Sequence, residues 1–356
     1  MQTGSMFRQH IDVPKTSVAL VVTAVALSAF TGAALAGGSA STTTIDSCTT
    51  IEDSGHYRLS ANIEDSDAET CIAIAASDVT LDGDGRTIDG VGNDSTVGVA
   101  VETAESLSAV TVRDLTVSDW GTGVRYRDVD DGEITAVDAT NNSDGLALYS
   151  AEGNTIADTA TTDNDAGIYL DDSSADNEIR ANDLTNNTNG IVLRASNENA
   201  ITDNAVEESA DNGIELAAGS ENDTVSENDF AATDYGIVVD RSDGNELADN
   251  TVESSSRDGI VLTGASNTTV SANHVDSNGR DGIVLYAADG NRIADNEATD
   301  NERNGIGLYS SLGLVVQDNT LSDNDEAILD SFSEGDIEGD TTESERRAIS
   351  PIRAIA

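Results

Sequence analysis

From Gly123 onward the chain repeats one local pattern, a glycine followed by apolar residues at alternate positions. Gly145-Leu146-Ala147-Leu148, Gly167-Ile168-Tyr169-Leu170 and Gly190-Ile191-Val192-Leu193 show it, and it continues to Gly305-Ile306-Gly307-Leu308. The glycines step by 22, 22 and then six times 23 residues. Alternation with period two marks a strand, and no sustained helical period follows residue 36. A second spacing runs inside each repeat. Ile179, Ile201, Val225, Leu247, Val270, Ile293 and Val316 are followed three positions later by Asn182, Asn204, Asn228, Asn250, Asn273, Asn296 and Asn319. Two positions further come Leu184, Val206, Phe230, Val252, Val275, Ala298 and Leu321. Clusters of Asn, Asp, Gly and Ser separate these short apolar segments and read as turns.

Self-similarity held this long predicts a solenoid in which each repeat is one rung and like strands stack in parallel. Leucine-rich repeats lack a matching frame here, and propeller blades need about twice the period. Parallel crossovers are right-handed almost without exception. The expected fold is therefore all-β, a right-handed parallel β-helix of about 11–12 rungs over residues 55–330. Residues 37–54 would form an N-terminal cap, and the acidic segment 331–356 would lie outside the repeat register as a cap remnant or a disordered tail. The Asn column has a physical reason. An inward turn calls for a residue that tolerates left-handed backbone, and Asn does so best after Gly. Stacked amides can also donate and accept along the column, forming a ladder that satisfies buried turn groups.

The frame G-I-x-L … N-x-I-x-x-N-x-V resembles the repeat of NosD-type and carbohydrate-binding/sugar-hydrolase (CASH) domain proteins. Gly55-His56-Tyr57-Arg58-Leu59, Cys71-Ile72-Ala73-Ile74 and Val79-Thr80-Leu81-Asp82-Gly83-Asp84-Gly85 are similar to the opening rungs of archaeal surface proteins of that kind. The resemblance implies a right-handed parallel β-helix from about residue 45 to 330. It covers polysaccharide lyases, hydrolases and epimerases, surface proteins without activity, and a copper-delivery accessory protein.

Composition narrows the choice. The chain has 67 acidic and 17 basic residues, a formal charge of −50, and a single lysine, Lys15. Such a surface excludes electrostatic nucleic-acid binding and docking on anionic membranes. Acid-rich, lysine-poor surfaces suit a salty medium, where screening relieves self-repulsion; the reading is a haloarchaeal-like secreted or cell-surface protein. Arg8 and Lys15 precede an apolar run ending in Ala34-Leu35-Ala36, the layout of a Sec-type signal over residues 1–36. An uncleaved anchor is the alternative, and no later segment could span a membrane. Cys48 and Cys71, an even pair in an exported chain, most simply form a disulfide.

Candidate chemistry is thin. Polygalacturonase-like G-H-G and R-I-K motifs are absent, and an epimerase-like D-P-H-D motif is excluded because the prolines are Pro14 and Pro351. Asp171, Arg194 on the next rung, and Asp240 are the nearest to catalytic residues. Asp82-Gly83-Asp84-Gly85 lacks a calcium frame and reads as a turn, so no cofactor is expected. Copper(I) favours Met and Cys, yet both methionines precede the expected cleavage point and the cysteines are expected to be oxidised. On the Gly-led strands the second and fourth residues after Gly should face outward. They place Tyr149, Tyr169, Tyr286 and Tyr309 where rings could stack on sugars. The leading expectation is a monomeric, non-catalytic scaffold or carbohydrate-binding module. The alternative is a polysaccharide lyase or hydrolase on the same fold.

Overall fold

Each repeat closes into one coil of a right-handed parallel β-solenoid of about 13 turns. The computed structural model describes residues 42–337, and the strands among them pair in parallel. The expected signal over residues 1–36 lies outside the described residues.

Three strand faces repeat along the axis. The first carries Leu81, Val112, Ile134, Ile156, Ile179, Ile201, Val225, Leu247, Val270, Ile293 and Val316 in register. The second carries Leu184, Val206, Phe230, Val252, Val275, Ala298 and Leu321. The third is the Gly-led face, where Ile168, Ile191, Ile214, Ile237, Ile260, Ile283 and Ile306 pair one to the next. All seven of these isoleucines are 0 % exposed, as the alternation requires. The glycine that opens each strand answers a steric demand. A Cβ on Gly190 would lie 2.5 Å from both the Gly213 carbonyl oxygen and Val206 Cγ1, so the next rung leaves no room for one.

The coil begins earlier and ends later than the sequence suggests. Thr43–Ile45 pairs with Gly55–Leu59, and Thr49–Ile51 with Thr70–Ile74, so the segment expected as a cap already builds rungs. Beyond residue 330, Glu334–Ile337 pairs with Leu312–Gln317 through a register shift. These added strands account for the extra turns over the 11–12 expected. Cys48 and Cys71 form a disulfide between adjacent rungs at this first end.

The asparagines stack as a ladder. Asn250 Nδ2 donates to Asn273 Oδ1 at 2.9 Å and to Val225 O at 2.9 Å, while its backbone N–H donates to the same Oδ1 at 3.0 Å. The arrangement repeats from Asn182 to Asn319, so each buried amide is satisfied on both sides. The left-handed backbone is not at the asparagines. It falls on the residue before each one: Ala181, Asp203, Glu227, Asp249, Ala272, Asp295 and Asp318 have φ between 53° and 59°. Hydrogen bonding, not φ tolerance, therefore selects Asn here.

Two more ladders run through other turns. Asn142, Asn164 and Asn187 form one, and Asn278, Asn301 and Asn324 continue that turn further along. Asn154, Asn177 and Asn199 form the other, followed by Asp223.

Candidate functional site

The outer side of the Gly-led face gathers the aromatic and charged side chains. Its strands present the residue before Gly and the second and fourth after it. Fourth-position rings fold back over the second position, and this changes what is surface. Ala147 and Val284 were expected to face solvent but are 0 % exposed. Tyr149 reaches across Ala147 far enough to bring its hydroxyl 3.4 Å from Asp144 Oδ2.

Near the C-terminal end, Tyr286 and Tyr309 pair in register on adjacent strands. Their rings stack with centroids 4.9 Å apart and planes at 15°. Tyr286 is 40 % exposed, a large apolar surface left open to solvent. Gly307 makes this arrangement possible. A Cβ there would lie 2.9 Å from Asp281 Oδ2 and 3.1 Å from Tyr309 Cε2. Asp281 Oδ1 accepts from the Asn304 backbone and side-chain N–H groups at 3.1 and 2.6 Å, while Oδ2 is buried without a partner. Burial raises the pKa of both tyrosines, with Asp258 and Asp281 adding to the shift, so the hydroxyls stay protonated. Asp240 and Thr263 continue the same column. Asp240 is engaged by its neighbour Arg241, with Nη2 at 2.6 Å.

A second cluster lies on the same face toward the N-terminal end. Tyr149 and Tyr169 have centroids 5.9 Å apart at 58°, and the Arg127 guanidinium sits 4.5 Å over the Tyr149 ring. Arg125 pairs with Glu102 at 2.7 Å. Burial pushes the Asp144 carboxyl from 3.8 up to about 6; the Tyr149 hydrogen bond opposes the shift and Asp165 adds to it. Burial also pushes Tyr149 up to about 12, with Asp144 adding and the two arginines opposing. Asp144 stands directly before Gly145, a place visible in the repeat, but no motif marks it there. Asp171 accepts the Tyr169 hydroxyl at 2.6 Å. Arg194, one rung on, leans to Glu215 at 3.7 Å, so it forms no ion pair with Asp171. The two tyrosine pairs are six rungs apart, roughly 29 Å at the usual strand spacing. A shallow groove lined by Asp138, Asp158, Asp183 and Asp203 lies at a different turn, away from these rings.

Comparison with known proteins fits this architecture. The family model described as periplasmic copper-binding protein (NosD) matches residues 41–233. The chain belongs to the NosD family. A model for the right-handed beta helix region matches residues 219–348. No curated protein matches the chain. Among solved structures, the A-module of mannuronan C-5 epimerase AlgE6 from Azotobacter vinelandii is 17 % identical with a TM-score of 0.68, over 83 % of this chain and 92 % of that one. The Dettilon tailspike protein is 15 % identical, TM-score 0.56, over 81 % and 60 %. DFA-IIIase from Arthrobacter chlorophenolicus A6 is 15 % identical, TM-score 0.52, over 69 % and 70 %. At these identities the likeness is one of fold.

The NosD family description names copper, and the described residues of this member do not fit it. Both cysteines are tied in the disulfide, and no methionine lies within residues 42–337. His56 and His274 sit on different strand faces, far apart along the coil. Among the described residues no group of three or more His, Cys, Asp and Glu is placed to hold a metal. Soft copper(I) donors are therefore not assembled in this part of the NosD chain. No helix among the described residues is long and apolar enough to cross a membrane.

Proposed function

We propose that this chain is an exported carbohydrate-binding β-helix, acting at the cell surface or in secreted form, and that polysaccharide docks on the Tyr286–Tyr309 platform without being cleaved. The stacked, partly open ring pair carries the reading. The stacked pair leaves apolar ring surface open to solvent against which sugars can pack, and Asp240, two rungs away in the same column, offers a partner for hydroxyls. The disulfide and the periplasmic family description support a site of action outside the cytoplasm. The test is affinity electrophoresis across a polysaccharide panel. Tyr286→Ala with Tyr309→Ala should cost about 1–3 kcal/mol of binding. An inert wild-type chain, or binding that survives the double substitution, would defeat the assignment.

One observation favours a second reading, a polysaccharide-acting enzyme centred on Asp144. Its carboxyl, raised to about 6, faces the Tyr149 hydroxyl beside Arg125 and Arg127. A carboxylic acid held partly protonated near neutrality suits general acid work. Chain cleavage that is lost in Asp144→Asn but kept in Asp171→Asn and Asp240→Asn would favour this reading over the binding module.

A further inference from the structure

Three arginines stand in register beside the platform. Arg257, Arg280 and Arg303 each stand two residues before the glycine of consecutive Gly-led strands. Backbone bonds hold them in register: Arg280 N–H donates to Arg257 O, and Arg303 N–H to Arg280 O, both at 3.1 Å. The backbones of three like-charged residues are thereby set one strand spacing apart, roughly 4.8 Å, and like charges on neighbouring strands are unfavourable in themselves. In a chain with 67 acidic residues, carboxylate partners are plentiful. Arg257 has taken them: Nε lies 3.2 Å from Asp234 Oδ2, and Nη1 donates to the Tyr235 hydroxyl at 2.7 Å. Arg280 reaches Asp258 only at 3.9 Å. Arg303 is exposed and makes no ion pair with any described residue. Pairing thus falls away along the column as it comes alongside the stacked rings. Arg280 acts on the Tyr286 hydroxyl and Arg303 on that of Tyr309, each opposing the upward shift that burial imposes. Each ring accordingly has its own under-paired guanidinium, one rung from the next.

We propose that the platform takes an acidic polysaccharide, with Arg280 and Arg303 each holding the carboxylate of one uronate residue while the sugars pack against the open side of the Tyr286–Tyr309 pair. The inference rests on the glycan-binding reading and names its substrate class. A guanidinium fork matches a carboxylate with two parallel hydrogen bonds. A polyuronate repeats its charge at each sugar and the column repeats its cation at each rung, so a chain twisted to bring two neighbouring carboxylates to one side meets both arginines. The acidic remainder of the surface repels the same ligand, which confines it to this stripe; at about 0.15 M salt that repulsion is screened beyond roughly 8 Å, whereas direct contacts persist.

The test measures the affinity of the full chain for polygalacturonate, for its fully methyl-esterified form and for a sulfated glucan. Wild type should bind polygalacturonate about tenfold or more tighter than the ester, a difference of about 1.4 kcal/mol or more. R280Q with R303Q should erase that preference, weakening polygalacturonate about tenfold more than the ester. Equal affinity for acid and ester would overturn the inference while leaving the platform intact. An undiminished preference in the arginine double variant would overturn it as well. A sulfated glucan that binds as tightly, with the same arginine dependence, would replace the carboxylate assignment by one for sulfate. Failure of wild type to bind either form of the polysaccharide would remove the platform reading and this inference together.

Discussion

Asp223 Oδ1 accepts both the backbone and the side-chain N–H of Asn199, at 2.8 and 3.0 Å, where the preceding rungs of that ladder use an asparagine oxygen. Its Oδ2 occupies the place of an amide nitrogen and is buried without a partner. Burial pushes the carboxyl from 3.8 up to about 7, against the two hydrogen bonds from Asn199, with Glu198 adding to the rise. A raised folded-state value means the folded chain holds this proton more tightly than the unfolded one. The resulting stability is complete below about pH 3.8 and is lost as pH rises to about 7. Asp223→Asn restores the nitrogen and removes the titration. The variant should melt higher than wild type at pH 8.5, by an amount of order 1–3 kcal/mol in stability. At pH 5.5 the gain should be clearly smaller. Equal gains at the two pH values would show that the carboxyl is not titrating in the ladder.

Asn250→Leu should cost about 1–3 kcal/mol. It strips the acceptor from Asn228 N–H and Nδ2 and the donor from Val225 O, all buried. Urea titration followed by circular dichroism reads the loss, and an unchanged midpoint would rule out a stabilising ladder.

Gly307→Val should push the Tyr309 ring off the sheet. Binding of polysaccharide should fall about as far as in Tyr309→Ala, while the far-ultraviolet spectrum stays that of wild type. Retained affinity would mean the stacked geometry is not what the ligand uses.

Cys48→Ser with Cys71→Ser should act locally. The closed loop is short, with a sequence separation of 23, and its loss should cost the first rungs about 3 kcal/mol. In a repeat array each rung leans on its neighbours, so amide exchange should quicken over residues 43–59 and change little beyond Thr155. Uniform acceleration along the whole coil would contradict this.

The solenoid was legible because stacking forces the same chemistry onto the same position at every rung. The isoleucine column and Asn182 to Asn319 recur at nearly constant steps, and both appear in the structure where the spacing placed them. The other two ladders were visible only in fragments. Asp223 and Thr268 interrupt the one that starts at Asn154, and Ser209, Thr233 and Ser255 interrupt the turn that starts at Asn142. Thr233 and Ser255 bond each other across that turn, whereas Ser209 Oγ and Thr268 Oγ1 are buried without a partner, so neither one letter nor one hydrogen bond marks these positions along the chain. The platform was half legible. Alternation put Tyr286 and Tyr309 on one face, but nothing in a linear pattern shows a ring leaning over Gly307 to stack on its neighbour or an arginine left under-paired beside it.

In-register coiling also makes the protein a ruler graduated in whole rungs. Excising residues 213–235 would join Asn212 to Gly236, set Asn204 against Asn250, and remove Asp223 with the rest of its coil. Every surviving ladder would still meet its match, yet the distance between Tyr149 and Tyr286 would shorten by one graduation, about 4.8 Å. Any ligand long enough to touch both tyrosine pairs would therefore be measured in discrete steps, and the gain or loss of a single repeat would change which length fits.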